Sequence, residues 1–232
     1  MMKNNAVYIL PESFFIGQKS NEIFNKFSAD DLEFYRVTTY LNLIENLLLR
    51  KDKFDLFLIL NDSDKEKIIS EINNDQLNII SYNNYDLKTL IIELNSTKFS
   101  SYKNNFLILS DVIDFRPTDL DKHLSVLSID DKAFSITKSR FGNIKIFGFN
   151  NFNEEFIKYL VESNFILDKF LSYNKSCAYF VNILNDVLEI TNQDDFKKLY
   201  SELSLKSSYE YCSEKMHERF THIFIEYKDL LK

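Results

Sequence analysis

Residues 105–111 read NFLILSD, an apolar run of strand length that stops at a serine and an aspartate. A strand without polar alternation is typical of a sheet that is covered on both faces. Runs of the same kind recur along the chain, at 6–10, 54–60, 77–80, 133–137, 144–149 and 179–184. We interpret them as strands of one sheet.

Longer amphipathic stretches separate these runs. The longest begins at Ser28, has carboxylates in its first turn and keeps an approximate 3.6-residue apolar period to Leu48, which predicts a helix. Further helices are predicted at 65–72, 87–99, 118–127, 154–162, 194–203 and 210–231. This alternation predicts a three-layer α/β/α sandwich with a mostly parallel, Rossmann-like sheet, in which ligands bind at the carboxyl ends of the strands.

The composition limits the classes of function. The 232 residues carry a net charge of −7 with both signs interspersed, which argues against a nucleic-acid partner. Cys177 and Cys212 are far apart and indicate neither a disulfide framework nor a zinc site, and no apolar run has the length of a membrane span. We therefore expect a cytoplasmic protein without a membrane span.

Each of the three glycines belongs to a segment that follows or contains a predicted strand. Gly17 follows the first strand, where backbone amides can face a phosphate with Lys19 as a point charge beside Ser20; a plain turn is the alternative. Gly142 and Gly148 bracket the strand at 144–149. They indicate either the close approach of a ligand or backbone, or a hairpin and a strand end.

A pair of carboxylates follows the strand at 105–109. Ser110 and Asp111 end that strand, and Asp111 with Asp114 has the hard oxygen ligands that a divalent metal prefers. The alternative is that Asp114, Thr118 and Asp119 cap the following helix. We favour the capping interpretation for those three residues, whereas Asp111 lies before the helix.

In order and spacing, these sites resemble the motifs of a bacterial glycosyltransferase-like family of the nucleotide-diphospho-sugar transferase (GT-A) superfamily, related to glycosyltransferases associated with arsenosugar biosynthesis. The family's Pro-x-Pro-Gly-x-x-Lys-Thr-Arg-Leu loop corresponds to 14–23, and its Gly-Ser-Asp-x-Pro-x-Leu-Thr-Pro-x-x-Leu motif to 109–120. Its Asp-Gly-Gly-Tyr-Tyr-Leu-Ile-Gly motif corresponds to 141–148, and Asp-Val-Asp-Thr-x-Glu-Asp-Leu to 189–196. The resemblance extends from residue 6 to about residue 203 and implies the GT-A fold.

The resemblance also implies a ligand site at the strand ends. Asp111 would be the ligand of a divalent Mg or Mn ion. The residues that would bind the nucleotide-sugar are Gly17, Lys19, Ser20, Ser110, Asp111, Gly142 and Asn143.

Several motif positions depart from the family pattern. The basic Lys-Thr-Arg triplet is Ser-Asn-Glu at 20–22 when no gap is allowed, and the second glycine of the third motif is Asn143. The Tyr pair is Ile144 and Lys145, and the central Asp of the last motif is Thr191. Because a diphosphate needs cationic partners, the loss of these cations weakens binding of the donor. We therefore interpret the chain as a divergent member of the family it resembles, with degenerate motifs.

Three functions follow as hypotheses. The first is an active glycosyltransferase, in which Arg140, Lys145 or Lys19 lies near the phosphates and compensates for the cations that the motif has lost. The second is a pseudoenzyme that keeps the scaffold for binding or assembly, and the third is a nucleotidyltransferase. An open crevice at Asp111 favours activity, and a crevice filled by Phe14, Phe15 and Phe141 favours the pseudoenzyme.

The domain division follows from the extent of the resemblance. Residues 1–204 are assigned to the GT-A-like domain, and 205–232 to a C-terminal helical extension packed on it. The extension has an apolar face at helical spacing. That face either packs on its own domain or contacts a second copy or a protein partner.

Overall fold

The computed structural model describes residues 4–11, 22–72, 77–82 and 98–232, together with Leu90 and Leu94. Within them the chain forms one sheet of seven strands, and every predicted strand is confirmed. The strands are β1 (Asn5–Leu10), β2 (Asp55–Asn61), β3 (Asn78–Tyr82), β4 (Asn104–Leu109), β5 (Ala133–Lys138), β6 (Ile144–Asn150) and β7 (Phe180–Ile183).

The order of the strands in the sheet is β3-β2-β1-β4-β6-β5-β7. The pairs β1–β2, β1–β4, β2–β3 and β5–β7 are parallel, whereas β6 runs antiparallel to both β4 and β5. The sheet is therefore mostly parallel, as predicted. Because β6 is reversed, its first residues lie at the edge where β1 and β4 end.

Seven α-helices of the described residues cover this sheet: α1 (Ala29–Leu48), α2 (Asp62–Glu71), α3 (Pro117–Leu127), α4 (Glu154–Glu162), α5 (Leu167–Cys177), α6 (Gln193–Leu203) and α7 (Glu214–Glu226). The predicted start of α1 is confirmed, since the Ser28 side chain accepts from the backbone N–H of Asp31. The predicted helix at 87–99 lies largely outside the described residues.

Two helix predictions were wrong, since one helix was missed and another was predicted to be too long. Helix α5 was not predicted; it follows α4 after a turn in which Asn164 and Phe165 have left-handed φ values of 52° and 57°. The helix predicted over 210–231 is the shorter α7, because Ser213 caps it by accepting from the Met216 N–H. Short 3-10 turns flank it at Lys206–Glu210 and Lys228–Leu231.

The core lies on both faces of the sheet, as the continuous apolar strands predict. Along β1, Tyr8 belongs to one buried cluster with Phe134, whereas Val7 and Ile9 belong to another with Leu43 of α1. Alternate side chains of a strand point to opposite faces, so β1 contributes to both layers. The predicted α/β/α sandwich is confirmed.

The C-terminal segment packs against α1 and α6. Phe220 of α7 is buried in a cluster with Tyr35 and Phe196, and Tyr227 stacks on Phe27 with ring centroids 4.1 Å apart. The Asn46 amide donates to the backbone carbonyl of Tyr211. The division at residues 204 and 205 stays a prediction.

Among the described residues, no helix has the length and apolar character needed to cross a bilayer.

Candidate functional site

The candidate site lies where β1 and β4 end and β6 begins. The backbone N–H of Ser110 donates to the carbonyl of Leu10 at 2.8 Å, which extends the β1–β4 pairing by one residue. Ile146 of β6 pairs with Ile108 of β4. This register brings Lys145, one residue earlier on β6, beside the Ser110–Asp111 end of β4.

Lys145 joins two carboxylates at this edge. Its ammonium contacts the Asp111 Oδ2 atom and lies 2.9 Å from the Glu189 Oε1 atom. The exposed fractions of the Lys145, Asp111 and Glu189 side chains are 5%, 10% and 12%. The Asn143 amide donates to both Glu189 oxygens at 3.0 Å. We call these four side chains the Lys145 cluster.

The electrostatics of the cluster keep Glu189 ionised. Burial alone raises the pKa of a carboxyl group because it disfavours the charged form. At Glu189 the Lys145 ammonium and hydrogen bonds from Ser139, Lys145 and Asn143 outweigh burial, and the pKa is lowered. The two carboxylates and one ammonium give the cluster a net charge of about −1.

One oxygen of the cluster is left over. Asp111 Oδ1 is buried and has no hydrogen-bond partner within the described part of the chain. A buried acceptor without a donor costs about 1–3 kcal/mol. The atom can therefore take a hydrogen bond from a hydroxyl or an amide of a bound ligand.

A divalent cation does not fit this arrangement as the side chains stand. Asp111 Oδ2 contacts the Lys145 ammonium, Glu189 Oε1 contacts both Lys145 and Asn143, and Glu189 Oε2 accepts from Asn143. Only Asp111 Oδ1 stays available, whereas Mg²⁺ or Ca²⁺ takes six or more oxygens, some of them from water. The described residues contain no group of three or more acidic, His or Cys side chains suited to a metal.

A second ion pair lies beyond the β5–β6 turn. The Arg140 guanidinium contacts the fully buried Asp195 carboxylate and lies 4.6 Å from the centroid of the Phe141 ring. Asp195 Oδ2 also accepts from the Thr191 hydroxyl at 2.7 Å and from its N–H at 3.1 Å. Phe141 is 43% exposed, so its ring lies at the surface; Phe14 and Phe15 lie outside the described residues.

A cavity of about 430 Å³ adjoins both ion pairs. Arg140 and Glu189 line it together with Asp114 and with Lys198 of α6. Asp114 accepts from the Leu188 N–H at 3.1 and 3.2 Å, and burial raises the pKa of this carboxyl group. The loop after β4 therefore holds the segment that carries Glu189.

The structure brings together some of the predicted site residues. Ser110, Asp111 and Asn143 lie at one edge of the sheet, and Gly142 lies in the turn between β5 and β6 with a φ of 80°. The turn supports the hairpin interpretation of this glycine. The roles of these residues in ligand binding stay predictions. Gly17, Lys19 and Ser20 lie outside the described residues.

Some sequence interpretations need correction. The capping interpretation of Asp119 is confirmed, since its side chain accepts from the Arg116 N–H at 2.9 Å, but that of Asp114 is wrong because Asp114 holds Leu188. The ion pair of Lys145 with Glu189 was missed. Its signal was a lysine within the apolar run IKIFGF (144–149), because a cation in a buried strand needs a carboxylate partner.

Comparison with solved structures decides the fold. A protein from Desulfovibrio desulfuricans G20 that is assigned as a nucleotide-diphospho-sugar transferase superposes with a TM-score of 0.75. It is 16% identical in sequence, and the match covers 99% of this chain and 97% of that one. The chain has the nucleotide-diphospho-sugar transferase fold.

Two further solved structures have a related fold at lower similarity. The 4-diphosphocytidyl-2C-methyl-D-erythritol synthase of Anaerococcus prevotii gives a TM-score of 0.55 at 13% identity over 88% of this chain and 99% of that one. A cytidylyltransferase of Leptospira borgpetersenii gives 0.52 at 9% identity over 99% and 97%. No protein-family model matches the sequence, and no protein of curated function does.

Proposed function

We propose that the protein binds a nucleotide-diphospho-sugar at the carboxyl ends of β1 and β4 and acts as a glycosyltransferase. The observation that carries the proposal is the Lys145 cluster at the end of β4. Ligands of open α/β sheets bind in the crevice outside the carboxyl ends of the strands. A buried, partly unsatisfied polar cluster at such an edge is typical of a binding site.

In this proposal the cluster acts on the sugar and on the leaving diphosphate. Transfer breaks the bond between the anomeric carbon and the diphosphate, so negative charge grows on the leaving nucleoside diphosphate. Cations placed beside that charge stabilise the transition state. In the described part of the chain, Lys145 and Arg140 are two cationic side chains near this edge, while Asp111 Oδ1 accepts from a ligand hydroxyl.

A catalytically inactive scaffold is the second candidate. The observation in its favour is that both cations already have carboxylate partners, Asp111 and Glu189 for Lys145 and Asp195 for Arg140. A diphosphate then meets a cluster with a net negative charge, which weakens its binding. Such a scaffold would bind the nucleotide without turning it over.

The third candidate, a nucleotidyltransferase, differs in the bond that it makes. It would join a sugar phosphate to the nucleotide and release pyrophosphate from CTP or another nucleoside triphosphate. The fold shared with the cytidylyltransferase of Leptospira borgpetersenii is the reason to include it in the test.

Titration calorimetry and product analysis distinguish the three candidates. UDP-, GDP- and CDP-sugars and CTP are titrated into the wild type, Asp111→Asn and Asp121→Asn. Asp121 is the matched control, because it pairs with Arg50 and Lys53, away from the Lys145 cluster. We expect a sugar nucleotide to bind the wild type and the control, and Asp111→Asn to bind it at least about tenfold more weakly, the equivalent of 1.4 kcal/mol.

Incubation with the bound donor then reports turnover. Release of nucleoside diphosphate, with water accepting the sugar in the absence of another acceptor, supports the glycosyltransferase. Binding without release supports the inactive scaffold, and pyrophosphate release from CTP with sugar phosphates supports the nucleotidyltransferase. If none of these nucleotides gives heat, the proposed ligand class is wrong.

A further inference from the structure

We propose that the Lys145 ammonium is a built-in cation that takes the place of a divalent metal between Asp111 and Glu189. The two carboxylates come from separate parts of the chain, one after β4 and the other after β7. A single ammonium contacts both of them. It therefore links the two segments as a bridging metal ion would.

Because Lys145 is buried, its ammonium depends on the contacts with Asp111 and Glu189. The Lys145 side chain is 5% exposed and lies on β6, in the interior of the sheet between β4 and β5. An ammonium in such a place is stable only with hydrogen-bonded carboxylate partners. Removing the lysine would leave two carboxylates close together without a cation, which is the arrangement that attracts a divalent ion.

The oxygen inventory leads to the same conclusion. The ammonium and the Asn143 amide engage three of the four carboxylate oxygens, and only Asp111 Oδ1 is left. A divalent cation would have to displace the ammonium, because both compete for the same oxygens and repel each other. The site of this chain is accordingly independent of divalent metal.

Mn²⁺ binding to the protein without nucleotide tests this inference separately from the proposed function. Free Mn²⁺ is measured by electron paramagnetic resonance during titration of the wild type, Lys145→Ala, Lys145→Arg and the double variant Lys145→Ala/Asp111→Asn. We expect no site in the wild type or Lys145→Arg. We expect a one-to-one site in Lys145→Ala that binds Mn²⁺ at least tenfold more tightly than any residual binding to the wild type, and we expect the double variant to lose this site.

A second set of variants keeps the test decisive if Lys145→Ala does not fold. Lys145→Gln retains most of the side-chain volume and two hydrogen-bond donors without the charge, and it is expected to gain a weaker Mn²⁺ site. Asp111→Asn in the wild-type background is expected to leave the Mn²⁺ titration unchanged. The inference is overturned if the wild type binds Mn²⁺ and Asp111→Asn abolishes that binding, or if folded Lys145→Ala and Lys145→Gln gain no site.

Discussion

The Lys145 ammonium lies 2.9 Å from the Glu189 Oε1 atom, and this ion pair connects the segment after β7 to the start of β6. The Asn143 amide holds the other side of the same carboxylate. Because the pair is nearly buried, the charge of Glu189 matters for stability as well as for any ligand.

Replacing Glu189 with Gln should therefore destabilise the protein in a pH-dependent way. At pH 7 we expect the free energy of unfolding to fall by about 2 kcal/mol, the usual scale for hydrogen bonds to charged groups. The lowered pKa of Glu189 means that the folded protein keeps this carboxylate charged at pH values where the unfolded chain is protonated. The pKa of a glutamate in the unfolded chain is about 4.3. The stabilising contribution of Glu189 is present above that pH and is lost as the pH falls through the lowered pKa of the folded state.

Urea unfolding at a series of pH values measures this effect. The difference between the wild type and Glu189→Gln should shrink between pH 5 and pH 3, whereas exposed Glu66→Gln on α2 should follow the wild type throughout. A constant difference across that range would contradict the ion pair as its source.

His123 provides a second acid-sensitive element at a different pH. It is fully buried in α3, where its ring nitrogens lie 2.7 Å from the Ser135 hydroxyl and 3.2 Å from the Thr137 hydroxyl. Burial lowers the pKa of His123 to about 4. The unfolded chain takes up this proton near pH 6.5, so stability falls by about 3 kcal/mol as the pH drops from 6.5 to 4.

His123→Gln should remove this part of the pH dependence. The measurement is the slope of the unfolding free energy between pH 6.5 and 4.5, with His222→Gln as the control because His222 is exposed on α7. We expect a shallower slope for His123→Gln alone. Equal slopes in all three proteins would show that His123 does not stay neutral in the folded state.

The sheet could be predicted from the sequence because its signals are local. Apolar runs such as 6–10 and 105–109 are buried on both faces of the sheet, and short continuous apolar runs of this kind are typical of strands in a covered parallel sheet. The ends of the helices were harder to predict from the sequence. The turn between α4 and α5 depends on left-handed Asn164 and Phe165, and the Phe165 conformation is not one that its residue type favours.

The candidate site could be predicted only in part, since it is built from distant segments. The strand-ending Ser110 and Asp111 were visible in the sequence, but the partners of Lys145 were not. Glu189 reaches Lys145 because Val187 bridges to Ser139 at the end of β5. That contact follows from the parallel pairing of β5 with β7, which no local pattern specifies.

Gly148 offers a prediction about packing between neighbouring strands. A Cβ atom added at Gly148 would lie 2.8 Å from Cε1 of Phe106, the residue that pairs with it on β4. We expect Gly148→Ala to cost about 1–3 kcal/mol through overpacking. A double-mutant cycle with Phe106→Leu measures the coupling, and the smaller side chain should relieve part of the cost.

Gly142→Ala is the matched control for that cycle. Its added Cβ atom would meet nothing within 4 Å, but its φ of 80° disfavours any other residue. We expect a cost of about 1 kcal/mol that Phe106→Leu leaves unchanged. Coupling of equal size at both glycines would contradict the steric explanation for Gly148.

Two isoleucines of α7 test whether the C-terminal helix serves its own domain. Ile223 is fully buried against the α1–α6 side, whereas Ile225 in the same helix is 61% exposed. We expect Ile223→Ala to lower the free energy of unfolding by about 2–5 kcal/mol and Ile225→Ala to change it by less than about 0.5 kcal/mol.

Size-exclusion chromatography of the same two variants addresses the predicted partner contact. If α7 only packs on its own domain, both folded variants elute as the wild type does. If its outward side contacts a second copy, Ile225→Ala alone shifts the wild-type elution toward a smaller species and makes stability less dependent on protein concentration. The pair thus separates a helix that completes the core from one that also joins two chains, because each substitution removes the same side chain from a different side.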